Sequence, residues 1–315
     1  MNEYPLVAIV TPSLNQSRFI RATIDSVLAQ DYPNLVYWVI DGGSKDETLE
    51  ILQSYGDRLR WVSEPDGGQS QAINKGWKLT TGEIVSWLNA DDLLAADAVS
   101  HAVKAMLAHL EIGGVYGNCL YISEDGEPIK QYPAQPYDRE LLIVETENFI
   151  PQPGTFLRRE VLEQAGWLDE TLHYVMDHDL WLRVGLYAPM LYLPHTMMGY
   201  ARIHDAAKTL QAMDGFAGEF TRIYHKLLSH PKCPSGIKKQ ERAVLHKAYI
   251  HSASFSFWGG APAHAREALW RAWQYRPFPV SRTFWLLGLF SVFGKPGLSL
   301  AEALHGNPFR LRRDE

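Results

Sequence analysis

The stretch IVSWLNADD, residues 84–92, decides the fold class of this chain. Its first five residues are apolar except for one serine, and so short an apolar run between turn signals is typical of a buried strand. Three comparable runs precede it, and they alternate with segments whose apolar residues recur at helical spacing. The predicted strands cover residues 6–10, 37–40, 59–62 and 84–88, and the predicted helices cover 19–30, 46–55, 69–79 and 97–111. This alternation predicts an α/β fold with a mainly parallel sheet and helices on both faces.

Each of the four predicted strands ends in turn residues with acidic, amide or hydroxyl side chains. A single exit of this kind does not indicate a function, because turns favour Asp, Asn, Gly and Ser for their backbone geometry. Four together favour a ligand site, because ligands bind beyond the carboxyl ends of the strands in an open parallel sheet. The exits are TPSLN at residues 11–15, DGGS at 41–44, EPDGGQ at 64–69 and NADD at 89–92.

The adjacent carboxylates of Asp91 and Asp92 indicate a cation at this edge. Neighbouring carboxylates repel each other, and a metal ion or a proton relieves the repulsion. Oxygen ligands without a nearby cysteine suit Mg²⁺ or Mn²⁺, which in such sites commonly hold a substrate diphosphate. The sequence contains no GxGxxG after the first strand, no P-loop, no HExxH and no GxSxG. A metal ion is therefore the expected partner of a diphosphate.

A second acidic cluster, Asp177-His178-Asp179, opens a predicted helix over residues 177–186. Acids in a first helical turn stabilise the helix, and one of them is equally suited to be a general base. Arg202 and His204 end an irregular stretch. Arg202 is either a structural residue or faces a phosphate, and His204 is either a structural residue or a metal ligand. The residues alone leave both choices open.

Taken in order, these motifs resemble family 2 glycosyltransferases with the GT-A fold. The resemblance covers about residues 5–210. It runs through residues 7–15, 39–46, 65–76, 81–84 and 88–92, then 153–156, 165–169, 177–183 and 202–204. It implies a GT-A domain over residues 1–212, followed by a helical C-terminal region over 213–315, where the strand signal stops and helical patterns cover 216–228, 237–257 and 262–275.

The resemblance also implies roles for individual residues. Asp91 matches the metal-binding acid of the DxD motif, and His204 matches a further metal or diphosphate contact. Asp177 matches the catalytic base, with Asp179 as the alternative because Met176 replaces the glutamate that often precedes the base. The nucleotide-sugar is expected to contact Thr11, Pro12, Asn15, Asp41, Gly43, Asp66, Gln69, Asn74, Asn89, Asp92 and Arg202, of which Asn89 stands where DxD has its first acid.

The expected reaction is an inverting, Mg²⁺- or Mn²⁺-dependent transfer from a nucleoside-diphosphate sugar to the hydroxyl of a glycan or lipid-linked acceptor. Cell-surface polysaccharide or glycolipid synthesis is the expected setting. One alternative is a non-catalytic module that binds a nucleotide-sugar or glycan. Another is a nucleotidyltransferase, although residues 11–16 lack the glycine-rich basic loop that such enzymes usually carry after the first strand.

Composition restricts the partners of the 315-residue chain. Its net charge is −6, which argues against nucleic acid, and its two cysteines fit a reducing compartment. The sequence shows no signal-peptide pattern, and the longest apolar run, residues 284–294, is shorter than the roughly 20 residues of a spanning helix. Both features predict a cytoplasmic protein. Residues 266–313 carry eight bases against two acids beside this run, which fits the inner membrane face, a homodimer interface or a core helix with a solvated flank.

Overall fold

The computed structural model describes residues 4–204, 213–277 and 281–305, without the side chains of Lys295 and His305. The chain divides into two compact units. The first comprises Met1–Tyr137 and Asn148–Ile203, and the second comprises Asp138–Glu147 and His204–Glu315. The boundary predicted at residues 212 and 213 adjoins a stretch, 205–212, that lies outside the described residues. Residues 138–147 belong with the helical unit although they fall within the predicted GT-A domain.

The first unit contains a sheet of nine strands within the described residues, with the order β3-β2-β1-β4-β8-β6-β9-β5 and β7 paired to β6. The strands are β1 (Val7–Ser13), β2 (Leu35–Asp41), β3 (Arg60–Ser63), β4 (Ile84–Trp87), β5 (Leu93–Leu94), β6 (Gly114–Ile122), β7 (Pro128–Gln131), β8 (Phe156–Arg158) and β9 (Met190–Arg202). The helices are α1 (Ile20–Leu28), α2 (Thr48–Ser54), α3 (Gln69–Lys78), α4 (Ala98–Ala108), α6 (Arg159–Ala165) and α7 (Met176–Val184), while α5 (Arg139–Ile143) lies in the second unit. The predicted α/β class is confirmed.

The four strands predicted from the sequence pair in parallel, in the order β3-β2-β1-β4. Beyond β4 the sheet is mixed, because β8 runs antiparallel to both β4 and β6, whereas β9 is parallel to β6. All seven residues of β1 are buried, as expected for a central strand covered on both faces. The carboxyl ends of the four parallel strands consequently lie at one edge of the sheet.

Helix α3 packs directly on the central strand. A Cβ atom at Gly76 would lie 2.5 Å from Cγ1 of Val10, so only glycine allows this approach. On the same helix, the buried Trp77 contacts Trp87 of β4 edge-on, with 5.6 Å between ring centroids. This packing fixes α3, which begins at Gln69, against β1 and β4.

All regular secondary structure in the described residues of the second unit is helical. The unit contains α5 together with α8 (Met213–Ser229), α9 (Ser235–Lys238), α10 (Glu241–Trp258), α11 (Pro262–Tyr275), α12 (Arg282–Val292) and α13 (Gly294–His305). Tyr224 Oη donates to the carbonyl of Leu142, which ties α5 to α8. Its core includes Phe257, Leu269, Leu287 and Phe290. No helix in the described part of the chain has both the length and the apolar character needed to cross a bilayer.

Candidate active site

A relay of amide and carboxylate groups connects the end of β4 to the start of α3. Gln69 Nε2 donates to Oδ1 of Asn89 at 2.6 Å, and Asn89 Nδ2 donates to Oδ2 of Asp92 at 3.0 Å. Asp92 is buried, and its Oδ1 accepts the backbone N–H of Arg202 at 2.8 Å. Burial and the neighbouring charge of Asp91 raise the pKa of Asp92 well above its ordinary value. The relay thus holds Asp92 within the protein, while Asp91 is only partly buried.

Arg202 holds the loop that carries Asp91. Its Nε donates to the carbonyl oxygen of Asp91 at 2.8 Å, and its Nη1 donates to the carbonyl oxygens of Ser123 and Glu124. The guanidinium also lies over the ring of Phe19, 5.1 Å from its centroid. These contacts clamp the backbone of the loop, so the structure places Arg202 behind Asp91 as a support for it.

Asp41 organises the loop after β2. It is fully buried, and Oδ2 accepts the N–H groups of Gly43 and Ser44 and the hydroxyl of Ser63, while Oδ1 accepts the hydroxyl of Ser44. Gly43 has a φ of +87°, a conformation that glycine adopts without strain. The loop conformation therefore depends on the Asp41 carboxylate, whatever contact it also makes with a ligand.

The exit of β1 meets this loop through Asn15. The backbone N–H of Asn15 donates to Ser44 Oγ at 2.7 Å, and its Oδ1 accepts the N–H of Lys45 at 2.8 Å. Asn15 itself has a φ of 51°, in the left-handed region that asparagine tolerates. Thr11 is buried within β1 and accepts the hydroxyl of Tyr37 at 2.9 Å, and the neighbouring Pro12 is buried too.

Asp66, in the exit of β3, lies beside the same loop. A Cβ atom built at Gly42 would lie 3.1 Å from Oδ2 of Asp66, so a larger residue there would crowd the carboxylate. Asp66 is exposed, and its Oδ1 accepts the N–H of Gly68 just before α3. The structure thus brings the four predicted strand exits together at one edge of the first unit.

The two acids at the start of α7 have different environments. Asp179 is 2% exposed, and its Oδ2 lies 2.8 Å from both Nε and Nη2 of Arg183. The side chain of Arg183 extends to the carbonyls of Ala165 and Gly166, which anchors the pair in the protein. Asp177 is only partly buried, and its Oδ1 accepts the N–H of His178. Burial raises the pKa of Asp177 to about 6.

Helix α7 begins against the start of α3. Ser70 Oγ lies 2.9 Å from Met176 Sδ and 3.1 Å from the carbonyl oxygen of Leu172. Because Ser70 follows Gln69 and Met176 precedes Asp177, these contacts bring Asp177 to the edge that carries the Gln69 relay. Met176, which stands in place of a glutamate, serves here as a packing contact.

Two predicted site residues have other surroundings. Asn74 is buried, its Nδ2 donates to the carbonyl of Leu168 and to Glu170, and its Oδ1 accepts the N–H of Leu168. Its amide therefore holds the loop before α7, and donor contact by Asn74 stays an untested prediction. His204 is buried and is the first residue of the second unit after β9. Its predicted part in metal binding also stays a prediction.

A metal ion in this site would be held by few protein ligands. In the part of the chain that the structure describes, no three His, Cys, Asp or Glu side chains converge into a metal-binding group. Mg²⁺ and Mn²⁺ commonly bind through one or two carboxylates and complete their shells with water and substrate phosphates. Asp91 at the sheet edge fits that pattern, whereas Asp92 is engaged by Asn89 and Arg202.

The structure adds two residues that the motifs did not single out. Ser13 ends β1 beside Asp41, and its Oγ is buried without a hydrogen-bond partner among the described residues. Gln152 donates through Nε2 to the carbonyl of Trp87 at 2.8 Å, and its Oε1 is likewise buried without a partner within the described ranges. Ser13 lies in a strand exit and was therefore accessible to sequence reasoning. Gln152 was not, because only folding brings it to the end of β4.

The family model for glycosyl transferase family 2 matches residues 8–166, which include the four strand exits. An uncharacterized glycosyltransferase of Rickettsia typhi is 33% identical over 217 residues, covering 67% of this chain and 68% of that protein. This chain belongs to glycosyl transferase family 2 and is a glycosyltransferase.

Two further proteins are similar to this chain at lower identity. The chondroitin synthase of Escherichia coli is 26% identical over 250 residues, which cover 78% of this chain and only 35% of that protein. A mannosyltransferase from Pyrobaculum calidifontis, solved in complex with GDP-Man and Mn²⁺, superposes with a TM-score of 0.60 at 20% identity. That match covers 98% of this chain and 85% of the mannosyltransferase, and at this identity it confirms the GT-A fold alone.

Proposed function

We propose that this glycosyltransferase transfers a sugar from a nucleoside diphosphate to an acceptor hydroxyl with inversion at the anomeric carbon. The observation that carries the proposal is the contrast between the two acids of α7. Asp179 is buried against Arg183, whereas Asp177 is partly accessible and its pKa is raised to about 6. A carboxylate with such a pKa is ionised at neutral pH and basic enough to take a proton from a hydroxyl as it attacks.

In the proposed reaction, Asp177 accepts the proton of the acceptor hydroxyl while the hydroxyl oxygen attacks the anomeric carbon. The bond between that carbon and the diphosphate oxygen breaks on the opposite face, and the nucleoside diphosphate leaves with the bonding electrons. A single base facing the leaving group gives an in-line displacement, hence inversion. The Gln69–Asn89–Asp92 relay and the Arg202 clamp keep the Asp91 loop in place during this step.

We assign Asp91 as the protein ligand of a divalent ion, Mn²⁺ or Mg²⁺. When bound, such an ion stabilises the negative charge that develops on the leaving diphosphate. The partly buried carboxylate of Asp91, at the edge where the strands end, supports an ion that is held jointly by Asp91 and the donor diphosphate. The Mn²⁺ of the mannosyltransferase with the same fold supports the assignment by analogy.

The donor is assigned to the edge formed by the exits of β1, β2 and β3. Asn15, Asp41 and Ser44 form a hydrogen-bonded loop there, and the unpartnered hydroxyl of Ser13 adds a polar group beside it. The acceptor is proposed to be a glycan or a lipid-linked hydroxyl in cell-surface polysaccharide or glycolipid synthesis, at the inner face of the cytoplasmic membrane. The chondroitin synthase relative supports a polysaccharide product, and the basic, apolar C-terminal helices support the membrane location.

The first test is a thermal-shift panel of UDP-, GDP-, CDP- and dTDP-sugars, each with and without Mn²⁺. A ligand that binds only the folded state raises the melting temperature by mass action. We expect a metal-dependent shift with one nucleotide family, followed by slow release of that nucleoside diphosphate as water replaces the acceptor. A shift without any release, from wild type and Asp177→Asn alike, would instead identify a binding module. If no nucleotide-sugar raises the melting temperature, the proposed donor site is refuted.

A further inference from the structure

The exposed apolar side chains of this protein are concentrated in its last helices. Twelve large hydrophobic side chains are exposed among the described residues, and eight of them lie between residues 270 and 304. Seven of the eight are on α11, α12 and α13, and Phe293 lies between α12 and α13. Scattered exposed hydrophobics are normal, but a concentration of this kind marks a surface that contacts something apolar.

Helix α12 is apolar on two opposite faces. Leu287 and Phe290 are buried in the core of the second unit. Trp285, Leu289 and Val292 recur every three or four residues on the other side, and they are 63%, 58% and 69% exposed. A helix that is apolar all round is normally buried on every side, so the outer face of α12 lacks a cover within the described chain.

The flanking helices repeat this arrangement. On α11, Leu269 packs inward, whereas Trp270 and Trp273 face outward and stack on each other with 5.2 Å between ring centroids. On α13, Leu300 and Leu304 are 50% and 62% exposed, four residues apart. We refer to the exposed side chains of α11, α12 and α13 together as the outer surface.

Basic side chains accompany the outer surface. Arg271, Arg276 and Arg282 are exposed, and Arg282 lies on the same face of α12 as Trp285, Leu289 and Val292. Eight bases against two acids give residues 266–313 a charge of +6 within a chain of −6, so the rest of the chain carries −12. Three of these bases, Arg310, Arg312 and Arg313, lie outside the described residues. The positive charge therefore coincides with the apolar surface in the sequence.

We infer that the outer surface of α11–α13 binds the interface of an anionic lipid bilayer. Tryptophan concentrates at membrane interfaces, and bases beside an apolar helix face are attracted to anionic headgroups. Pairing with a second copy through the same surface would instead set bases against bases. The helices lie in the interface with their outer side chains among the headgroups, which requires no spanning segment. This inference deepens the membrane location of the proposed function and names the surface responsible.

The test is co-sedimentation of the whole chain with vesicles. We expect binding to vesicles of phosphatidylcholine mixed with phosphatidylglycerol, much weaker binding to phosphatidylcholine alone, and weakening by salt. Replacing Trp285 and Leu289 by serine should reduce binding at least about tenfold, because both lose apolar area on insertion. Changing Arg271 and Arg282 to glutamine should weaken it about fivefold per base at low salt.

Leu110→Ser is the matched control, because Leu110 is 69% exposed but lies in the first unit. It should bind vesicles as wild type does. Equal binding by wild type and the Trp285/Leu289 double variant, or no binding to either vesicle, overturns the inference. So does a dimer in light scattering that disappears in the double variant, which would assign the surface to a second copy. The nucleotide-sugar thermal shift, measured on each variant, stays unchanged and separates this result from a failure of the donor site.

Discussion

Replacing Asp177 by asparagine is the most direct test of the proposed base. Asparagine keeps the size of the side chain, and its carbonyl oxygen can still accept the N–H of His178 that Asp177 accepts at 2.8 Å. It cannot take up a proton at neutral pH. We therefore expect release of nucleoside diphosphate to fall by about 10²–10⁴-fold, the usual contribution of a general base. The metal-dependent thermal shift with the nucleotide-sugar should be retained.

The pH dependence of the wild-type enzyme follows from the same carboxylate. With a pKa of about 6, Asp177 is about one-tenth ionised at pH 5 and about nine-tenths ionised at pH 7. Because only the ionised form is a base, the rate should rise about tenfold from pH 5 to pH 7 and then level off. The residual rate of Asp177→Asn should not show this tenfold rise with pH.

The Asp177→Asn variant should gain stability although it loses activity. Burial raises the pKa of Asp177 from 3.8 to about 6, so the ionised carboxylate costs stability above pH 6 and costs nothing below about pH 4. Two pKa units correspond to about 3 kcal/mol, which is an upper bound for a partly accessible group. We expect Asp177→Asn to be more stable than wild type to urea at pH 8, and the difference should shrink progressively between pH 6 and pH 4.

Asp179→Asn is the matched control two positions along the same helix. It leaves Arg183 buried with its charge uncompensated, so the variant should lose about 3–5 kcal/mol of stability. Its folded fraction should keep the pH step of the wild type. The reasoning is refuted if Asp177→Asn retains full activity, or if Asp179→Asn abolishes nucleotide release and the pH step while remaining folded.

Three further variants test the rest of the edge. In Asp91→Asn, Mn²⁺ should no longer increase the thermal shift produced by the nucleotide-sugar, and an unchanged metal effect would exclude Asp91 as the ligand. Arg202→Met should lose about 3 kcal/mol in urea unfolding, because three backbone carbonyls each lose one donor, and nucleotide binding should weaken as the Asp91 loop loosens. Asp41→Ala should lose about 2–4 kcal/mol of stability and most of its affinity for the nucleotide-sugar, because the backbone N–H groups of Gly43 and Ser44 lose their acceptor. Wild-type stability of this variant would contradict the place of Asp41 at the centre of the loop.

The first half of the sheet was predictable because its signals are local. The segments that form β1 to β4 are short, largely apolar and followed by turn residues, and they alternate with segments of helical pattern. The second half was not, because β8 has three residues and its partners on both sides are antiparallel. In β9, Pro194 and the positive φ of His195 interrupt the alternation, although the strand continues for 13 residues.

The position of the candidate site was likewise predictable, whereas the division of labour within it was not. Parallel strands place their exits at one edge, so motif order alone indicated where polar groups gather. Whether a given side chain faces a ligand or supports the backbone depends on distant partners. Arg202 contacts the loop of Asp91 across 111 positions, and Asn74 contacts Leu168 across 94. Neither contact has a local signal.

Each acidic pair in the site separates into one residue that specific hydrogen bonds hold within the protein and one that we propose to act in the reaction. Asp92 is buried and fixed by Asn89 and by the backbone of Arg202, whereas Asp91, the proposed metal ligand, is only partly buried. Asp179 is fixed by Arg183, which leaves Asp177 as the proposed base. The second separation has a signal in the sequence, because acid and base four residues apart on a helix pair with each other. By this rule, the sequence itself favours Asp177 over Asp179 as the base. In the first pair, the contact between Asn89 and Asp92 is local, but the backbone N–H that also distinguishes Asp92 from Asp91 lies on a strand 110 residues away and has no signal in the sequence.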